Sequence, residues 1–215
     1  MSGAPGVPSV TRPFASFTSR HAPARWLLGF ALLLAFAFLG SRGIWDPDEG
    51  RYTNVALNML DSGDWLNPRR NDEVGHWTKP PLTYWAIAAS VGVFGSTPWA
   101  ARLPIALSYL LCIWLVWRLA RRLAPGAELQ AGVIYVSMLL PFGASQLITT
   151  DYLLAAFQTL AMWGFVEARF ADPGATGAQH AGRWIALAWA GFALAFLTRD
   201  RRRCCRCCRC WPSMR

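Results

Sequence analysis

WLLGFALLLAFAFLGSRGIWDPDEGRY, residues Trp26 to Tyr52, runs an uncharged apolar stretch straight into a knot of acidic, basic and aromatic side chains. A bilayer-spanning helix needs about 20 mostly apolar residues, slightly fewer where flanking residues snorkel. The charge-free run between Arg25 and Arg42 meets that need. It is too long, and too far from the first residue, to be a cleaved signal, and no small-residue cleavage site follows it. It reads as a retained first span, roughly Trp26 to Leu39.

Working outward, further charge-free runs lie between Lys79 and Arg102, Arg102 and Arg118, Glu128 and Asp151, Asp151 and Glu167, and Arg183 and Arg199. With 54% apolar residues and twelve tryptophans among 215, this is a membrane composition rather than that of one soluble domain. The fold class expected is all-α: a polytopic bundle of about five spans, with two juxtamembrane helices in the first external loop. Residues 1–25, rich in Pro, Ser, Gly and Ala and lacking acidic residues, form a disordered cytoplasmic leader. Residues 26–198 form the transmembrane module, with an external loop over 41–100. The later spans fall at Leu103–Trp117, Ala131–Ile148, Tyr152–Val166 and Trp184–Thr198, and the polar Asp172–Gly182 is a short cytoplasmic linker.

Pro80–Ala101 is long enough to span but opens on Pro-Pro and holds Ser90, Gly92, Gly95, Ser96 and Pro98. Parity decides its reading. A spanning segment puts Arg118, Arg121 and Arg122 outside and separates Asp48 from Asp151. An interfacial helix returns the arginines to the cytoplasm and leaves both aspartates on the outer face. The interfacial helix is preferred. The chain is thereby expected in a bacterial inner membrane, multi-pass, with a cytoplasmic N-terminus and membrane lipids around it.

The formal charge of +9 does not imply nucleic acid, because residues 199–215 alone hold seven Arg and one Asp. Without them +3 remains, clustered beside the apolar segments. That tail also carries five of the six cysteines. Closely spaced thiolates bind metal, but adjacent Cys-Cys pairs lack the spacer that turns both sulfurs toward one ion. Writing Cys as TGC and Arg as CGC and shifting the frame by one base converts Cys204-Cys205-Arg206-Cys207-Cys208-Arg209-Cys210-Trp211 into a Leu/Pro-rich apolar sequence. The tail is therefore expected to be a frameshift product that starts near Arg199 or Asp200 and ends early. Cys112, inside an apolar run, is a packing residue.

Asp48 leads the candidate catalytic residues. With Glu49, Arg51 and Tyr52 beside it, it offers a base or metal ligand and a cation for phosphate in one short turn. Val55, Ala56, Met59 and Leu60 recur at helical spacing behind it, so the motif caps a short helix on the membrane. A second cluster, His76-Trp77-Thr78-Lys79-Pro80-Pro81-Leu82-Thr83-Tyr84-Trp85, brings Lys79 and Tyr84 to the same depth. Lys79 is either a snorkelling residue or a fixed phosphate contact ahead of the stiff Pro-Pro. Asp151, closing an uncharged run, either marks where a helix meets water or faces other polar groups as a functional carboxylate.

These motifs, taken in order with Gly63-Asp64-Trp65, Trp99-Ala100-Ala101-Arg102-Leu103-Pro104 and Thr149-Thr150-Asp151, resemble the N-terminal module of the GT-C glycosyltransferases over about residues 26–198. The similarity is greatest to the aminoarabinose transferases that modify lipid A and more distant to the protein O-mannosyltransferases. The resemblance implies an enzyme that transfers a sugar from a polyprenyl-phosphate donor to a lipid or protein acceptor at the outer face. In it Asp48 is the essential acidic residue, Arg51 and Lys79 contact the donor phosphate, and Asp151 is the second acidic residue of the outward cavity; beside them Glu49 is expected as a further catalytic residue and Tyr52 and Tyr84 as substrate-binding residues. The aminoarabinose transferases carry Glu before the Lys, where this chain has Thr78, so no metal ligand is assigned and a divalent cation and the sugar stay open. A protein mannosyltransferase-like enzyme and an inactive truncated fragment are the alternatives. A transporter is disfavoured because the polar residues gather at one face and not at mid-membrane.

Overall fold

The computed structural model describes residues 22–45, 47–71, 75, 79–171 and 175–199. Among them eight helices form: α1 (Ala22–Phe36), α2 (Asp48–Ser62), α3 (Leu82–Phe94), α4 (Pro98–Leu123), α5 (Glu128–Ser137), α6 (Leu139–Ser145), α7 (Thr150–Arg169) and α8 (Ala175–Thr198). The one β feature among the described residues is an isolated bridge between Arg69 and Gly75. Most of the expected leader and all of the tail but Arg199 lie outside the described residues, as do Asp46, His76, Trp77 and Thr78.

The long helices have an inverted pattern. Along α1 the inward positions are Leu27, Ala31 and Ala35, while Trp26, Leu28 and Leu33 point out, Leu33 at 61% exposure. On α8, Ala188 and Ala195 are buried while Trp189 and Phe196 are exposed. Water would select the reverse; a bilayer makes large apolar surfaces costless and lets small residues bring backbones together. Close approach follows at two glycines: a Cβ on Gly164 of α7 would lie 2.9 Å from the Trp184 carbonyl oxygen, and one on Gly191 of α8 would lie 2.8 Å from the Ala161 nitrogen. α4 and the His180–Thr198 part of α8 are long and apolar enough to cross a membrane. α3, at 13 residues, reaches only about 20 Å of the roughly 30 Å hydrocarbon layer.

Two cores sit side by side. α1, α4 and α7 share Leu27, Ala31, Ala35, Ile105, Tyr109 and Ala156, and α2 packs on α3 through Val55, Met59, Ile87 and Val91. Pro104 lies inside α4 and has no N–H for the Ala100 carbonyl one turn earlier. The Ser90 hydroxyl of α3 donates to that carbonyl instead, at 2.6 Å, which fastens α3 to α4.

Four boundaries differ from expectation. α1 starts at Ala22, inside the segment assigned to the leader. α4 extends well past Leu103–Trp117 at both ends and takes in Arg102 and Arg118 to Arg122. The run Ala131–Ile148 is not one helix: it breaks at Met138 (ψ 128°) between α5 and α6. Pro141 requires this, since it cannot donate to Ser137 and is tolerated only in the first turn of a new helix. The residues of Asp172–Gly182 from Ala175 onward are the start of α8 rather than linker.

Candidate active site

The chain leaving α1 wraps around one side chain. Arg102, from the second turn of α4, is 1% exposed, and its guanidinium donates to the carbonyls of Leu39 (2.9 Å), Arg42 (2.9 Å) and Gly43 (2.7 Å). Its remaining donors meet the Glu49 carboxylate, Nε to Oε1 at 3.2 Å and Nη2 to Oε2 at 2.9 Å. Glu49 takes a second fork from Arg42, at 2.9 and 3.1 Å, and backbone N–H bonds from Trp45 and Ile148, each 2.9 Å. Arg42 also donates to the Gln146 carbonyl at 2.6 Å. Burial pushes the Glu49 carboxyl up, but Arg102, Arg42 and the two amides outweigh it and hold the group down at about 2.

Glu49 therefore departs from the expectation of a reacting group. It is 3% exposed and its oxygens are filled by donors from the 42–45 loop, α4 and the segment before α7. What it does is join three segments. Asp48, its neighbour, opens α2, and Asp151 lies three residues past Ile148 in the first turn of α7, where a carboxylate complements the helix dipole. The clamp brings these two turns to one end of the bundle.

Asp48 and Asp151 are both open, with side chains 66% and 61% exposed. Arg51 Nη1 stands 3.6 Å from Asp48 Oδ1, too far for a hydrogen bond, so its donors stay available to an anion. Asp151 pairs with Arg199. The Tyr52 hydroxyl feels all four: burial raises its pKa first, then Asp48, with Asp151 acting the same way and Arg51 and Arg199 opposing. Asp48, Arg51 and Asp151 thus all act on the hydroxyl of Tyr52, whose residue is itself only 7% exposed.

Tyr84 does not reach this surface. Its ring is wholly buried, 5.8 Å from the Tyr52 ring in the α2–α3 core, so it backs Tyr52 instead of lining a substrate. Lys79 is half-buried just ahead of α3. Among the described residues no three His, Cys, Asp or Glu side chains converge on a point that would hold a metal ion. Arg102, Arg42 and Arg199 were not among the expected site residues. The signal for Arg102 was a lone cation between two apolar runs, which a membrane protein keeps only where it is paired.

The profile of the dolichyl-phosphate-mannose-protein mannosyltransferase family matches residues 78–203. The undecaprenyl phosphate-alpha-4-amino-4-deoxy-L-arabinose arabinosyl transferase 2 of Pseudomonas fluorescens (strain Pf0-1) is 33% identical over 184 residues, covering 81% of this chain and 32% of that protein. Its counterpart from Proteus mirabilis (strain HI4320) is 33% identical over 176 residues, covering 80% and 31%. Among solved structures, ArnT from Cupriavidus metallidurans in the apo state superposes with a TM-score of 0.76 at 28% identity, over 83% of this chain and 33% of that one. The same protein bound to undecaprenyl phosphate gives 0.77 at 27% identity, over 85% and 33%. This chain spans about a third of the length of the relatives it matches.

Proposed function

Since the chain belongs to the dolichyl-phosphate-mannose-protein mannosyltransferase family, with a GT-C fold of the aminoarabinose-transferase type, we propose that it forms the donor-side module of a glycosyltransferase. The enzyme moves a sugar from a polyprenyl-phosphate lipid to an acceptor such as lipid A at the periplasmic face. The observation that carries this reading is the exposed Asp48 and Asp151, with Arg51 beside Asp48 and the largely buried Tyr52 behind them, on a fold that superposes on an undecaprenyl-phosphate-bound transferase.

In the reaction the bond from the anomeric carbon to the donor phosphate breaks and a bond to the acceptor oxygen forms. Arg51 and Lys79 stabilise the charge that builds on the departing phosphate. Asp48 orients the acceptor, and takes its proton where the acceptor is a hydroxyl; an ionised phosphate acceptor has none to give. Asp151 forms the opposite wall. Glu49, Arg102 and Arg42 touch no substrate and act as positioning residues.

The arrangement in the membrane has α1, α4, the broken α5–α6 pair, α7 and α8 as five spans, with α2 and α3 lying on the outer surface of an inner membrane and the N-terminus cytoplasmic. The shortness of α3 and the common end of Asp48 and Asp151 support it. A protein hydroxyl is the competing acceptor, favoured by the description of the matching family.

Binding and transfer test this separately. The 215-residue chain is expected to bind undecaprenyl phosphate but, at a third of the relatives' length, not to turn over. Arg51→Gln should weaken that binding about tenfold, the worth of one charge-assisted contact. In a full-length aminoarabinose transferase carrying residues 26–198 as its N-terminal module, Asp48→Asn should lower transfer of aminoarabinose from undecaprenyl phosphate to lipid A by about a hundredfold or more with donor binding kept. Undiminished transfer by that variant would refute the role of Asp48, and transfer to peptide hydroxyls alone would favour the second acceptor.

A further inference from the structure

A second polar cluster lies at the other end of α4. Arg102 and Arg122 are twenty residues apart on one helix, about 30 Å, which is the thickness of the hydrocarbon layer. With the Glu49 clamp at one boundary, the last turn of α4 falls at the headgroup level of the other. That turn carries Arg121 and Arg122, and Arg118 stands one turn before them, at spacings that put all three on one side of the helix.

The three arginines are not equivalent. Arg122 Nε is bonded to Glu167 Oε2 of α7 at 2.8 Å, and the other Glu167 oxygen accepts from Trp163 Nε1 at 3.1 Å. The one buried carboxylate nearby is therefore spent. Arg118 is half-buried, its guanidinium lying 5.5 Å from the Trp114 ring and 5.1 Å from the Trp163 ring. Trp163 is itself fixed edge-on between Trp114 at 5.1 Å and Trp184 of α8 at 4.8 Å. Two indoles thus hold a guanidinium in place, and none of its N–H donors meets a protein acceptor among the described residues. Arg121 is exposed beside it, likewise without an acceptor. Snorkelling accounts for arginines that reach freely into water at a helix end; it does not account for one stacked between two tryptophans while its neighbour holds the carboxylate.

We propose that Arg118 and Arg121, on the platform of Trp114 and Trp163, bind the phosphate of an anionic phospholipid in the leaflet opposite the Asp48–Asp151 cluster. The planar guanidinium presents paired donors to a phosphate, and Trp114, 45% exposed, offers its face to the acyl chains beneath it. The lipid is preferred to free phosphate because the site sits at the end of a membrane span with an apolar, open flank. The proposal is independent of the sugar-transfer reading.

The test uses the 215-residue chain in detergent, with phosphatidylglycerol, phosphatidylcholine and inorganic phosphate as separate probes. Native mass spectrometry should find phosphatidylglycerol retained by the unaltered chain, and titration with it should raise Tm. Each arginine should contribute about fivefold to retention, or about 1 kcal/mol, so that Arg118→Gln with Arg121→Gln loses about 25-fold. Should the double variant not fold, Arg121→Gln alone, at an exposed position, must still lose about fivefold. Equal retention by these variants, equal retention of phosphatidylcholine, or the same Tm rise with inorganic phosphate would each overturn the proposal.

Discussion

Replacing Glu49 with Gln keeps the shape of the side chain and removes the charge between Arg42 and Arg102. The cost follows from the geometry. A carboxyl moved from 4.5 to about 2 is held in its charged form by about 3 kcal/mol. Glutamine also turns an NH2 group toward donors, leaving Arg102 with no counterion in a site 1% exposed, and breaking one side of a buried pair costs about 3–5 kcal/mol. For a chain of this size a loss of about 3 kcal/mol lowers Tm by about 6–12 °C. The assay is thermal unfolding in detergent followed by intrinsic tryptophan fluorescence at pH 7, and again at lower pH. The sign at low pH is fixed by the depressed pKa. Glu49 contributes its full stability above about 4.5 and loses it as pH falls toward about 2, so the wild-type curve should drop through that window more steeply than the Glu49→Gln curve. A variant that unfolds within about 1 °C of wild type at pH 7, or that keeps the wild-type acid slope, would refute the clamp as the element that holds these segments together.

Two further substitutions probe the packing. Ser90→Ala should cost about 1–3 kcal/mol by leaving the Ala100 carbonyl orphaned beside Pro104, read as a lower Tm, while Ser90→Thr retains most of the stability. Gly164→Leu should separate α7 from α8, since its Cβ alone would meet the Trp184 carbonyl oxygen at 2.9 Å; a distance measured between spin labels on the two helices should lengthen, whereas Gly143→Ala, in open space, should leave it unchanged.

Local pattern revealed α2 because its buried residues Val55, Ala56 and Met59 recur at helical spacing just behind the polar motif. Charge parity suggested a common face for Asp48 and Asp151, and both carboxylates act on the Tyr52 hydroxyl. The Glu49 clamp was not legible, because its partners Arg102 and Ile148 stand 53 and 99 residues away and nothing local marks them as its donors. Tyr84 shows the opposite failure. Its motif neighbours suggested a substrate contact, but the helix that begins at Leu82 turns it into the α2–α3 core. The break at Met138 had a visible cause in Pro141, which an unbroken apolar run conceals when hydropathy alone is read.

The span of that clamp also sets a schedule for biosynthesis. A ribosome adding about 5–20 residues per second needs about 5–20 seconds to go from Glu49 to Ile148, the last donor to the carboxylate. Through that interval Glu49 and Arg42 wait at the membrane surface with hydration in place of their final partners, and Arg102 joins them about midway. The Glu49 clamp is accordingly closed about a hundred residues after its first member is made, ahead of only the α7–α8 packing that follows it in the chain.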